Sequence, residues 1–60
     1  MTDREELMAF LERTGVVFTI EGTDVTISEG AGPKNNGYNG FFTAVDFNEQ
    51  GELTAWGAWE

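Results

Sequence analysis

The chain has 60 residues, and its 11 acidic against 3 basic side chains give a net charge of −8. It contains neither Cys nor His, which excludes disulfides, thiolate metal sites and the commonest general base. So strong an acidic excess repels nucleic-acid phosphates and anionic membrane surfaces, and it attracts basic protein surfaces.

A length of this kind allows one domain, residues 1–60, with a small core and a stability of a few kcal/mol. No apolar run is long enough to span a bilayer, and the N-terminus is acidic and helical in pattern, unlike a signal peptide. The expectation is a cytoplasmic protein. Solubility is the plain alternative reading of the charge.

Thr2-Asp3-Arg4-Glu5 has the spacing of a capping box, with Thr2 as N-cap and Glu5 reaching back to it. Asp3, Glu5 and Glu6 suit the positive end of a helix dipole, Arg13 suits its negative end, and Gly15 suits the position just past the end. A helix over residues 3–14 follows. Leu7, Phe10, Leu11 and Thr14 make its apolar stripe, with Met8 at the border.

Residues 16–21 and 24–28 read as a hairpin turning at Gly22-Thr23, with Ile20 facing Val25, Thr19 facing Thr26 and Phe18 facing Ile27. Val16, Phe18, Ile20, Val25 and Ile27 then share an apolar face. Residues 29–40 are rich in Gly, Asn and Pro and form the one long connection.

Residues 38–60 hold six of the eight aromatic residues. They read as a second hairpin closed by Glu49-Gln50-Gly51, a type I turn with Gly in the left-handed position. That register sets Asn48 against Glu52, Phe47 against Leu53, Val45 against Ala55 and Phe41 against Trp59. Its core face is Phe41, Thr43, Val45, Phe47, Leu53, Ala55, Gly57 and Trp59, with Phe10 and Leu11 packing on it. The opposite face carries Phe42, Ala44, Trp56 and Ala58 as an apolar patch. It is bordered by Asp46, Glu49 and Glu52, with Tyr38 nearby. Either the 29–40 loop folds back over this patch, through Pro33 and Tyr38, or the patch is free to bind. A slip of one residue would exchange the faces.

The fold class expected is α+β: one N-terminal helix packed on an antiparallel sheet of two consecutive β-hairpins, in the order αββββ. Gly30, Gly32 and Lys34 do not make a phosphate-binding loop, because no Gly-Lys-Ser/Thr opens a helix. No segment has calcium-loop spacing, and no Ser has a His partner. No catalytic, cofactor or metal site is expected, and the chain reads as a non-enzyme.

The ending Val45-Asp46-Phe47-Asn48-Glu49-Gln50-Gly51-Glu52-Leu53, followed by Trp56-Gly57-Ala58-Trp59-Glu60, resembles the close of small uncharacterised acidic phage-encoded proteins. The resemblance covers the last third of the chain. It implies a phage origin and a style of action, binding and blocking a host protein in the host cytoplasm. The functional expectation is an acidic protein–protein interaction module, an inhibitor of a partner with a basic surface. The alternative is a homodimeric accessory protein that associates through the apolar sheet face.

Overall fold

A computed structural model describes all 60 residues. Helix α1 spans Asp3–Thr14, followed by strands β1 Thr19–Glu21, β2 Asp24–Ser28, β3 Phe42–Phe47 and β4 Leu53–Trp59. The strands form one antiparallel sheet in the order β1-β2-β3-β4, so each pairs with its neighbour in sequence. The α+β architecture is the one the patterns predict.

The helix ends are fixed locally. Thr2 Oγ1 accepts the Glu5 N–H at 3.1 Å, and Glu5 Oε1 accepts the Thr2 N–H at 2.9 Å. These bonds to Thr2 hold the Glu5 carboxyl below its ordinary pKa. Gly15 closes the helix at φ 84°, in the left-handed region, and donates to the Leu11 carbonyl.

Three contacts seat the helix N-terminus across the two hairpin turns. The Arg4 N–H donates to the Gly51 carbonyl at 3.0 Å, the Arg4 Nε donates to the Thr23 carbonyl at 3.1 Å, and the Leu53 N–H donates to Asp3 Oδ2 at 2.9 Å. Gly51 is needed twice over. Its φ is 82°, and a Cβ there would lie 2.6 Å from the Thr2 side chain.

The first hairpin has the predicted register: Thr19 faces Thr26 and Ile20 faces Val25. Strand β1 is shorter than expected, beginning at Thr19 rather than Val16. The reason lies in the long connection. Asn35 is only 4% exposed, and its side chain does the work of a strand partner. Its Oδ1 accepts the Val17 N–H at 2.8 Å, while its Nδ2 donates to the carbonyls of Val17 at 2.7 Å and Ser28 at 3.1 Å. The 29–40 loop is thereby tied to the chain entering β1 and to the end of β2.

The second hairpin departs from expectation past its turn. Asn48 N–H still donates to the Glu52 carbonyl, and Phe47 still faces Leu53. A β-bulge then intervenes, so that Asp46 faces Ala55, Val45 faces Trp56, Thr43 faces Ala58 and Phe42 faces Trp59. Thr54 is the extra residue. From Ala55 onward every β4 side chain therefore lies on the face opposite to the expected one. Trp56, not Ala55, stands beside Val45. Simple alternation carries no sign of this, because either frame of β4 places a Trp on each candidate core face.

The core is Leu11, Val25, Val45 and Phe47, with Leu7, Met8, Val16, Phe18 and Ile27 packed against it. Phe10 and Leu53, expected inside, are 52% and 48% exposed. Helix α1 turns Met8 rather than Phe10 toward the sheet, and Phe10 lies at its flank with the Arg13 guanidinium 5.1 Å from its ring. The helix occupies one side of the sheet only. With Cα extents of 32 × 24 × 14 Å the molecule is two layers thick, and the second sheet face has no cover.

Candidate protein-binding face

Facing residues on paired strands project to the same side, so the registers assign the uncovered face row by row. Glu21, Asp24, Asp46 and Ala55 form the row nearest the turns. Thr19, Thr26, Ala44 and Gly57 form the next. Ser28, Phe42 and Trp59 form the last. None of these residues is buried. The face thus grades from carboxylates through hydroxyls to aromatic rings, and a shallow cavity runs across its β1–β3 half between Glu21, Asp24, Ser28 and Phe42.

The carboxylate row acts on itself. Withdrawal from water, then the facing charge of Asp24 and a hydrogen bond with it, raise the Asp46 carboxyl above its ordinary pKa. No three carboxylates converge as metal ligands would. The row presents spread negative charge rather than a chelating nest. All three cations of the chain lie elsewhere: Arg4 on the Thr23 carbonyl, Arg13 over Phe10, and Lys34 beside Gly15.

The bulge divides the apolar patch read from the sequence. Phe42 and Ala44, with Asp46, are on the uncovered face, whereas Trp56 and Ala58 project to the helix side. Glu49 and Glu52 are exposed at the β3–β4 turn, where Glu52 accepts from Asn48 Nδ2 at 3.0 Å. Tyr38 is 82% exposed in the loop and tilts against Phe41, ring centroids 6.2 Å apart. The loop does not cover Trp56, which is 61% exposed, because Asn35 holds it at the β1–β2 side of the sheet.

Three contributors to the face were not legible in the sequence. Unbroken alternation places Trp59 on the core face. Its indole instead lies across Gly57, whose added Cβ would meet Nε1 at 3.0 Å. Glu21 and Asp24 flank the Gly22-Thr23 turn, where the local sequence gives them no neighbour but each other. Only the pairing of β2 with β3 lines them up with Asp46, and the 29–40 loop gives no sequence signal for that register.

No helix is long and apolar enough to cross a membrane. Comparison of the chain with protein-family models, curated proteins and solved structures finds no match.

Proposed function

We propose that this protein is an acidic interaction module whose uncovered sheet face receives a basic surface of a partner protein. The carrying observation is the row Glu21, Asp24 and Asp46 across three adjacent strands, on a face without a cation. Phe42 and Trp59 add an apolar, aromatic end to the same face, the residue class that supplies interface hot spots. Polar Thr19, Thr26 and Ser28 join the two ends. A basic partner would relieve the repulsion between Asp24 and Asp46, so binding energy comes from charge that costs stability in the free chain.

The resemblance of the C-terminal hairpin to small acidic phage proteins fits this style of action, in which a host protein is bound and blocked. The homodimeric reading is weaker. Two such faces brought together would oppose their carboxylates, and Phe42 no longer shares a face with Trp56.

Capture from cell lysate with the immobilised chain, beside the triple variant Glu21→Gln, Asp24→Asn, Asp46→Asn, tests the proposal. A partner held at low salt, released at high salt and not retained by the folded triple variant is the expected result. Capture indifferent to both salt and the three substitutions would sink it.

A further inference from the structure

The 29–40 loop closes on a pocket. Where the loop rejoins the sheet, Glu29, Gly37, Tyr38, Phe41, Phe42 and Ala58 line a cavity of about 240 Å³. That is below the roughly 300–1,000 Å³ of sites for drug-sized ligands, and it suits a single side chain.

Backbone bonds fix its walls. The Glu29 N–H donates to the Phe41 carbonyl at 2.9 Å, and the Phe41 N–H donates to the Tyr38 carbonyl at 3.3 Å. The rings of Tyr38 and Phe41 stand tilted at 53°, their centroids 6.2 Å apart. Asn35 ties the loop to the Ser28 carbonyl, next to Glu29 in the chain. Gly37 admits the Glu29 carboxylate, because a Cβ at that position would collide with it. Glu29 is partly buried, and Arg4, Arg13 and Lys34 all lie elsewhere.

The chemistry of these walls selects an organic cation. Aromatic rings attract positive charge through their faces, and the one carboxylate does the same. A metal ion needs more: no three acidic ligands converge here or elsewhere in the chain. A guanidinium meets both kinds of wall. It is planar and weakly hydrated, it stacks on a ring, and its fork of N–H groups matches a carboxylate. Its methylene stem suits the apolar surface of Phe42 and Ala58. Resting on the reading of the chain as an acidic module for a basic partner, we propose that this pocket receives one arginine side chain of that partner, its guanidinium against the rings of Tyr38 and Phe41 and hydrogen-bonded to Glu29.

The probe is arginine blocked at both ends, titrated into the full 60-residue chain and followed by amide shifts. The expected result is saturable binding, with shifts centred on Glu29, Gly37, Tyr38 and Phe41. Blocked citrulline, the neutral isostere, should not saturate. Glu29→Gln should weaken arginine binding about fivefold and Phe41→Leu about threefold, in chains whose amide spectra are otherwise unchanged. No binding of arginine, equal binding of citrulline, or wild-type affinity in Glu29→Gln overturns the proposal. Tighter binding of blocked trimethyllysine overturns the choice of guanidinium. Shifts confined to Glu21, Asp24 and Asp46 would also overturn the pocket, while leaving the acidic face as the binding surface. The probe needs no partner protein, so failure of lysate capture leaves an arginine site at Glu29 standing.

Discussion

Asn35 shows how much one side chain can decide. It sits in a run of turn-forming residues, and nothing in its neighbourhood in the chain distinguishes it from Asn36 or Asn39. In the folded molecule it alone of the three is buried, and it satisfies three backbone groups on two distant segments. An amide is the side chain that fits, since Val17 needs both an acceptor and a donor while Ser28 needs a second donor. Asn35→Ala should cost about 3 kcal/mol, because it leaves backbone groups of Val17 and Ser28 without partners. Asn36→Ala, at an exposed neighbour, should be close to neutral. Thermal melts of the pair provide the check, with faster amide exchange at Val17 as the local signature.

Among the elements, the helix and first hairpin are local solutions, whereas the second hairpin is a compromise. Its turn is set by Asn48, whose Oδ1 accepts from the N–H groups of Gln50 and Glu52, and by Gly51. The bulge just beyond then turns Trp56 and Ala58 to the helix side in place of Ala55, Gly57 and Trp59. Leu53, which alternation places in the core, lies before the bulge and still faces Phe47, yet stands half exposed on the edge strand. At 48% exposure, Leu53→Ala should cost only about 1 kcal/mol. Val45→Ala, at a position with 0% exposure, should cost about 2 kcal/mol and lower the melting temperature by roughly 10 °C. Equal losses at the two sites, measured by denaturant unfolding, would contradict the packing described.

At the scale of the whole molecule, an eleven-to-three charge imbalance is carried on a two-layer fold with a small core. Part of that charge opposes folding. Asp46 binds its proton more tightly in the folded chain than in the unfolded one, so its contribution to stability is greatest at low pH and declines as pH rises from the ordinary carboxylate pKa through its raised value. Glu5 has the opposite sign: its lowered pKa contributes stability above the ordinary value that is lost on acidification. Asp46→Asn should therefore melt higher than wild type at pH 7, with the difference shrinking as pH falls through the raised pKa of Asp46 towards the ordinary carboxylate value of about 4. Melts across that range give the answer, and a difference independent of pH would rule out the carboxylate pair as its source.

What the sequence by itself determined are the features closed within a few residues of the chain. The capping box, the Gly15 stop, the Gly22-Thr23 turn and the 49–51 turn each need only neighbours whose spacing is covalently fixed. Even the α+β class follows from them, since an amphipathic helix and four short strands have few ways to pack. The tertiary structure decided what depends on distant partners. The bulge at Thr54 took Trp56 and Trp59 to the sides opposite those that alternation gives them. The pairing of β2 with β3 across a long loop brought Glu21, Asp24 and Asp46 into line. Both belong to contacts between segments whose relative register no local pattern records, and a one-residue difference in register is enough to move a side chain from one face of the sheet to the other.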